Sequence, residues 1–269
     1  GQRLDWYDSG EIWIATLTAI IAFYVFLTHS LTTDRPFLNL RLLLDRNFSL
    51  GLIMVTMYGM LNFLPMVILP PLLQQHAGYP DALIGQIVGW RGIGAAIGFF
   101  IAMFIERVDP RISMVVGSLA QVASGIWMMH LDLNLDPGIL VINSLLQGIS
   151  VGVVWVPMTV VTFATLDPKH RAEAMATFHL LRNMGSSLFI SICVAEIVRA
   201  TGANYARLAE FVSPFNKVLA LPWATGSWTL DTTSGLARFA KEITRQATMI
   251  GYSNAFLVYT VVSLPAIPL

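Results

Sequence analysis

The sequence predicts an all-α membrane protein in which seven transmembrane helices form a bundle. Hydrophobic residues make up 55% of the chain and charged residues only 12%, whereas about 25% of the residues in a soluble domain are charged. The mean hydropathy is +0.67. A helix needs roughly 20 apolar residues to cross a bilayer core about 30 Å thick. Seven stretches of about this size occur, at residues 10–30, 48–73, 82–105, 112–131, 137–166, 172–199 and 247–269.

The composition argues against several other classes of protein. The formal net charge is zero and the basic residues are scattered, so we expect no surface for nucleic acid. A single cysteine, Cys193, allows neither an internal disulfide nor a cysteine-based metal site. The sequence has no Ser-His-Asp arrangement, paired-histidine metal motif or phosphate-binding loop. We therefore expect neither an enzyme nor a cofactor or metal site. The last span has no lysine, which also excludes a retinal Schiff base there.

Three of the predicted helices begin with the same dipeptide. The pairs are Asp109-Pro110, Asp136-Pro137 and Asp167-Pro168. Aspartate caps free N–H groups at a helix start, and proline is well tolerated in the first turn. We interpret these carboxylates as helix caps rather than as catalytic groups.

The distribution of cations predicts the orientation of the chain. Loops on one side carry Arg35, Arg41, Arg46, Arg107, Arg111, Lys169 and Arg171. The alternate short loops, 74–81 and 132–136, contain no Lys or Arg. Because short cytoplasmic loops are enriched in these residues, we place the first set in the cytoplasm and the N-terminus outside. The last span then runs inward.

This orientation divides the chain into three parts. Residues 1–30 form an outer segment and a linker transmembrane helix. Residues 31–47 form a cytoplasmic linker, amphipathic over 37–46, that lies along the inner membrane surface. Residues 48–269 form a six-helix domain that includes a long periplasmic loop at 201–246. The chain starts without methionine and stops inside an apolar run, so we expect it to be part of a longer protein.

The periplasmic loop has far more residues than a connection between two helices needs. Aromatic residues and cations are interleaved in it, namely Phe211, Phe215, Trp223, Trp228, Arg207, Lys217, Arg238 and Lys241. Aromatic and arginine side chains are frequent anchors of protein interfaces. We predict that the loop docks a partner protein. A lid lying on the bilayer and a plain connector are the alternatives.

Two arginines fall near the centres of predicted spans, Arg91 in the third and Arg182 in the sixth. A charge at the centre of a membrane helix costs at least about 2.5 kcal/mol, and such residues usually face a cavity, a partner or an ion path. We expect these guanidinium groups to hold an anionic partner, lower a carboxylate pKa or lock a helix interface. A tie to backbone carbonyls or snorkelling is the alternative. His179 shares a helix face with Arg182 and is a candidate for proton relay or for a polar helix contact.

Glycine and proline mark the helix contacts that we expect. Small residues four apart let membrane helices approach closely, and proline kinks a helix. The candidate packing or gating residues are Gly92, Gly94, Gly148, Gly152, Pro157 and Gly185. The candidate substrate or coupling residues are Arg91, Arg182, His179, Asn62, Gln147 and Trp155.

Several short motifs follow one another in a recognisable order. They are Asp5-Trp6, Pro70-Pro71-Leu72-Leu73-Gln74, Gly78-Tyr79, Arg91-Gly92-Ile93-Gly94, Gln147-Gly148 with Gly152 and Pro157, Arg182-Asn183-Met184-Gly185-Ser186 and Ser213-Pro214-Phe215-Asn216. Taken together, the chain resembles the fourteen-span drug:proton antiporters of the major facilitator superfamily, EmrB/QacA type. The resemblance covers nearly the whole chain. It implies the C-terminal half of a major facilitator superfamily helix bundle, made of one linker span and a six-helix C-terminal transporter domain.

The resemblance also implies a function. The chain would be part of a proton-coupled multidrug efflux transporter that exports hydrophobic or amphiphilic compounds across the inner membrane. Its partners would be drug-like substrates, protons, membrane lipids, a periplasmic adaptor and an outer-membrane channel, with the proton gradient as energy source and no cofactor. The proton-coupling acidic motif of the family would lie upstream of Gly1. Trp90, where proline is common, and Phe189, where glycine is frequent, depart from the family pattern and bear on substrate identity and gating.

Two other functions remain open at this stage. An exporter of the same fold that carries a metabolite, a siderophore or a lipid would have a similar apolar lining, which we expect from Met54, Met57, Met60, Phe63 and Trp155. A membrane scaffold without transport activity is the other alternative. It leaves the two arginines inside the spans without a role.

Overall fold

The computed structural model describes residues 10–32, 40–105, 109–213, 216–217, 219 and 232–267. Seven α-helices run through them: α1 Gly10–Thr32, α2 Arg46–Leu72, α3 Asp81–Ile105, α4 Pro110–Met129, α5 Pro137–Phe163, α6 Arg171–Glu210 and α7 Thr233–Ser263. Short 3-10 turns occupy Leu40–Leu44, Pro168–His170 and Leu264–Ala266, and a π-helical turn, Leu73–Ala77, extends α2. The described residues contain no β-strand. The predicted all-α class is confirmed.

The predicted Asp-Pro caps are confirmed as well. Each carboxylate accepts a hydrogen bond from the N–H group two residues on, at 2.8 Å for Asp109, 2.9 Å for Asp136 and 3.0 Å for Asp167. A fourth aspartate, which the sequence did not single out, caps α2. Asp45 accepts from the N–H group of Phe48 at 2.9 Å. These contacts satisfy N–H groups that the first turn of a helix leaves free.

Helix occupies both ends of the predicted periplasmic stretch at 201–246, including 237–246, where an amphipathic helix is expected from the sequence. α6 continues to Glu210, and α7 begins at Thr233 behind a cap from the side chain of Thr232. Hydropathy marks where a helix leaves the apolar layer, whereas backbone hydrogen bonding continues as long as helix-forming residues follow. The outer ends of both helices are rich in Ala, Arg and Glu, which favour helix.

Several residues on which predictions rest lie outside the described residues. They are Asp5, Trp6, Arg35, Arg107, Pro214, Phe215, Trp223 and Trp228. Within the predicted amphipathic linker, the described turn Leu40–Leu44 buries Leu42 and leaves Leu44 86% exposed.

Six helices, α2 to α7, are long and apolar enough to cross a membrane. The 23-residue helix α1 forms where the linker span is predicted. Its large side chains are exposed, with Ile14 at 68% and Tyr24 at 67%. Side chains of this kind at the surface are typical of a helix that faces lipid.

Helices α3 and α5 approach each other closely through glycines. A Cβ atom added to Gly94 would lie 2.3 Å from the carbonyl oxygen of Leu145, and one added to Gly148 would lie 2.1 Å from that of Arg91. Gly152 meets the backbone of α3 in the same way. These short separations leave no room for a side chain. The two helices therefore pack backbone against backbone, as small residues four apart allow.

The other candidate packing residues divide into two groups. Gly185 lies in a second close contact, where a Cβ atom would be 2.6 Å from the carbonyl oxygen of Thr56 on α2. Pro157 is buried within α5. Gly92 is exposed, and a Cβ atom there would meet no atom within 4 Å. Two residues correspond to about 200° of rotation around a helix, so Gly92 lies on the face opposite Gly94 and not at the helix contact.

The apolar core consists of two clusters at different depths. One cluster, toward the end of the bundle that is predicted to face outside, includes Leu64, Phe189 and Phe256. The other, toward the end that is predicted to face the cytoplasm, includes Phe48 and Met158. On each of α2, α4, α5 and α6, the residues between the two clusters include polar ones. This polar layer at the middle of the bundle is where the candidate site lies.

Candidate functional site

Arg91 is a buried cation at this middle depth. Its side chain is only 7% exposed. One terminal nitrogen, Nη2, donates to both the backbone oxygen and Oδ1 of Asn62, each at 2.6 Å. The remaining nitrogens, Nε and Nη1, are buried without a hydrogen-bond partner in the described part of the chain. A guanidinium has five N–H donors, and leaving them unpaired in a buried place is costly.

This arrangement brings two predicted site residues together. Asn62 ties α2 to α3 through the Arg91 guanidinium, so part of the role is structural. The unpaired donors leave capacity for water or for an anionic group. No carboxylate of a described residue forms an ion pair with Arg91.

Arg182 is held by aromatic rings. Its guanidinium carbon lies 5.4 Å from the ring centroid of Trp155 and 5.8 Å from that of Phe63. The hydrogen bonds to the neighbouring Asn183 side chain are long, at 3.3 Å and 3.4 Å. Cation–π contacts contribute about 0.5–1 kcal/mol when exposed and about 2 kcal/mol when desolvated. The rings of Trp155 and Phe63 therefore position the Arg182 guanidinium. No acidic side chain among the described residues forms an ion pair with it.

Trp155 is the centre of an aromatic cluster that joins α2, α5 and α6. Its ring centroid lies 5.1 Å from that of Tyr58, 5.9 Å from that of Phe178 and 6.2 Å from that of His179. The Nδ1 atom of His179 is buried and has no hydrogen-bond partner among the residues described. Three predicted site residues, Trp155, His179 and Arg182, thus form one group. We call Tyr58, Phe63, Trp155, Phe178, His179 and Arg182 the aromatic–cation cluster.

Gln147 belongs to a different group. It is 2% exposed, and its Nε2 atom donates to Asn143 Oδ1 at 3.2 Å and to the sulfur atom of Met128 at 2.8 Å. Asn143 in turn donates to the backbone oxygen of Ser124 at 3.2 Å. These contacts tie α5 to α4 inside the packed core. The structure gives Gln147 a helix-packing environment and does not bring it into the aromatic–cation cluster.

A second set of neutral hydrogen bonds joins α4, α5 and α7. Gln121 donates to the hydroxyl of Tyr259, and Ser150 donates to Gln121 Oε1 at 2.6 Å. Gln121 is 5% exposed and Ser150 is 1% exposed. Hydrogen bonds of this kind satisfy polar side chains that would otherwise be unpaired in an apolar layer.

A small cavity separates this hydrogen-bonded set from α2. It has a volume of about 30 Å³, and its polar lining comes from Tyr58, Asn62, Ser118, Gln121, Ser150 and Ser263. A cavity of roughly 10–15 Å³ already holds a water molecule, whereas drug-sized sites occupy about 300–1,000 Å³. The cavity therefore suits water beside the Asn62–Arg91 contact and is too small for a drug.

Sequence reasoning missed several residues of this layer. Tyr58, Gln121 and Tyr259 were not candidates, although each is a polar residue within an apolar span. Polar groups inside the membrane are functional or structural hypotheses by default, and that signal was present in the sequence. What the sequence could not supply was which of them face one another.

A family model for the Major Facilitator Superfamily matches residues 51–212. The chain belongs to the major facilitator superfamily. The match confirms the superfamily that the sequence motifs indicated. Together with the six apolar helices, it identifies the chain as a multi-pass inner membrane protein. The matched region includes the aromatic–cation cluster and the contact between Arg91 and Asn62.

Individual proteins are also similar in sequence to this chain. The multidrug export protein EmrB of Escherichia coli K12 is 29% identical over 218 residues, which cover 80% of this chain and 43% of that protein. The fatty acid resistance protein FarB of Neisseria gonorrhoeae is 26% identical over 278 residues, 100% of this chain and 54% of that protein. EmrB of Haemophilus influenzae is 24% identical over 269 residues, covering 95% and 51%. The chain spans about half the length of these relatives.

Proposed function

We propose that this chain is the C-terminal half of a proton-coupled efflux transporter that exports hydrophobic or amphiphilic compounds across the inner membrane. The family supports transport rather than enzymatic chemistry. The relatives named for multidrug export support the class of substrate. Proton coupling rests on the resemblance to the drug:proton antiporters.

The aromatic–cation cluster is the main structural support for this proposal. Flat rings supply apolar contact area, and a small number of polar groups orient a ligand within an apolar site. Arg182 adds a positive charge beside Trp155 and Phe63 that no described anion neutralises. Such a wall suits an amphiphile with an aromatic or alkyl body and an electron-rich or acidic end.

The small volume of the mid-depth cavity favours a substrate site that is shared with a second helix bundle. The cavity at middle depth is too small for a drug, and the aromatic–cation cluster is only partly enclosed, with Arg182 and His179 half-buried. Alternating access in transporters of this kind is rocking of one bundle against another around a central site. We therefore place the substrate between this six-helix domain and a second bundle of the complete protein.

The outer ends of α6 and α7 support a periplasmic partner. α6 has 40 residues, about 60 Å of helix at 1.5 Å per residue, which exceeds the thickness of a bilayer core of about 30 Å. Phe211, which directly follows it, is 68% exposed. We propose that this outer extension contacts the adaptor that links the transporter to an outer-membrane channel.

An exporter of a lipid-like acid is the second candidate function. The relative FarB is named for resistance to fatty acid. A carboxylate is a suitable partner for the charge of Arg182. A scaffold without transport is disfavoured, because it gives no role to the charge of Arg182, which forms no ion pair with a described residue.

Reconstitution of the complete protein tests the proposal. Proteoliposomes with an imposed pH gradient should move a fluorescent amphiphilic dye, and a protonophore should abolish the movement. Proteoliposomes that contain only residues 1–269 should not move it, because one bundle cannot alternate access alone. Dye movement that ignores the pH gradient would refute proton coupling. Movement of a fatty acid without any movement of dyes would favour the second candidate.

A further inference from the structure

A large pocket opens at the outer side of the bundle, away from the aromatic–cation cluster. It lies between the π-helical turn after α2 and the first turns of α7, and it has a volume of about 730 Å³. Its wall includes Gln75 and His76 from the turn. None of the residues of the proposed drug site lines it.

The α7 side of this pocket is basic. Arg238, Lys241 and Arg245 line it, and their spacing of three and four residues places them on one face of the helix. The pocket also contains Glu242, which pairs with Arg245 at 3.5 Å. Arg238 and Lys241 form no ion pair with any residue that the structure describes. The pocket therefore has an excess of positive charge.

The pocket lies at the border between the apolar and polar parts of both helices. The apolar run of α2 ends at Leu73 and is followed by Gln74, Gln75 and His76. The polar part of α7 ends at Gln246, and its apolar run begins at Ala247. Such a border corresponds to the headgroup region of a bilayer. In the orientation predicted from the charges of the loops, this headgroup region belongs to the outer leaflet.

His76 adds a second, independent observation. Both of its ring nitrogens are buried without a hydrogen-bond partner in the described residues, although the ring packs edge-on against Tyr252 at 5.9 Å. Buried polar atoms are normally paired. A residue that lines the pocket thus has a donor and an acceptor without a hydrogen-bond partner among the described residues, near two cations that form no ion pair there.

We propose that this pocket binds the phosphate headgroup of an anionic phospholipid of the outer leaflet. Arg238 and Lys241 contact the phosphate, and His76 hydrogen-bonds a headgroup oxygen once its ring, whose nitrogens are covered in this state, rotates into the pocket. Arginine matches phosphate through parallel N–H donors, and basic pockets between membrane helices bind anionic headgroups. The depth of the pocket in the membrane favours a lipid over free phosphate. A lipid whose headgroup lies there places its acyl chains along the apolar faces of the helices. The inference goes beyond drug export and does not depend on it.

Native mass spectrometry of the purified, delipidated complete protein tests this inference. Dioleoyl phosphatidylglycerol and dioleoyl phosphatidylcholine, which differ in net charge, are titrated separately. We expect the anionic lipid to bind about tenfold or more tightly. The double variant Arg238→Gln, Lys241→Gln should weaken that binding by about 30-fold, since it removes two cations. The control Arg207→Gln removes an exposed cation of the outer part of α6 that does not line the pocket, and it should change little.

Each outcome of this experiment decides the inference. Equal affinity for the two lipids in the unmodified protein would overturn it, and this comparison needs no variant to fold. Unchanged binding of phosphatidylglycerol by the double variant would also overturn it. Displacement of the lipid by a modest excess of inorganic phosphate would point to a free-anion site and overturn the lipid assignment. Binding of a drug-like dye, measured in the same samples, should survive in the double variant, which separates this site from the proposed transport site.

Discussion

The carbonyl oxygen of Arg91 lies against Gly148, so that a Cβ atom on Gly148 would be 2.1 Å away from it. The buried arginine is thus fixed in two ways. Its side chain holds Asn62 of α2 at 2.6 Å, and its backbone forms part of the glycine contact between α3 and α5. A substitution at Gly148 that separates α3 from α5 is therefore expected to displace Arg91.

Gly148→Ala should destabilise the protein by about 1–3 kcal/mol, the usual cost of overpacking a well-packed core. The added methyl group would meet backbone of α3, which cannot move aside as a flexible side chain could. Thermal unfolding of the purified protein in detergent measures the effect. Gly92→Ala is the matched control, because a Cβ atom there meets nothing within 4 Å. It should be neutral or stabilise by up to about 1 kcal/mol, since alanine favours helix over glycine. Equal loss of stability in both variants would refute the assignment of the contact.

The difference between these glycines illustrates what the sequence could and could not predict. Spans and Asp-Pro caps were predictable, because hydropathy and helix capping are local properties. The depth of Arg91 was predictable for the same reason. Its partner Asn62 was a candidate, but the contact between them depends on how α2 and α3 are rotated and aligned. Gly92 and Gly94 could not be told apart without that rotation.

Arg182→Ala should reduce dye efflux by the complete protein at least about tenfold with little change in membrane expression, since it removes the cation from the aromatic–cation cluster. Arg182→Lys should retain only part of the activity, because an ammonium group lacks the planar surface that stacks on Trp155 and Phe63. Arg199→Ala is the control, an exposed arginine on the same helix. Efflux and drug resistance are measured in cells with matched expression. Unimpaired efflux in the alanine variant would remove Arg182 from the site.

The cap of α2 should make a small part of the stability depend on pH. The hydrogen bond from the N–H group of Phe48 lowers the pKa of Asp45 below its ordinary value. A lowered pKa in the folded state means that the stabilisation is present above the ordinary value, about 3.9, and is lost as pH falls through the lower, folded value. Asp45→Asn keeps an acceptor for the cap, so it should remove this acid-sensitive part while leaving stability near neutral pH almost unchanged.

Asp45→Ala should cost about 0.5–2 kcal/mol at neutral pH, because the cap is lost. Unfolding curves for the three proteins between neutral pH and the acid range measure both effects, and the comparison cancels the contribution of all other carboxylates. An identical dependence on acid pH in the unmodified protein and Asp45→Asn would show that the cap is not charge-dependent.

The last prediction concerns the outer extension of α6 and α7 as the adaptor site. Phe211 and Leu236 are 68% and 46% exposed at the outer ends of these helices, and exposed large apolar groups there are suitable interface anchors. The double variant Phe211→Ser, Leu236→Ser should reduce co-purification of the adaptor about tenfold or more, because one hot-spot anchor contributes about 2 kcal/mol or more and about 1.4 kcal/mol corresponds to a tenfold change in affinity. Dye binding by the isolated transporter should be unchanged. The competing idea, a lid that lies over the substrate path, makes the opposite prediction: the same variant would bind dye differently and keep its adaptor. Phe100→Ser, 65% exposed on the membrane-spanning part of α3, is the control for a general effect of removing a surface aromatic residue.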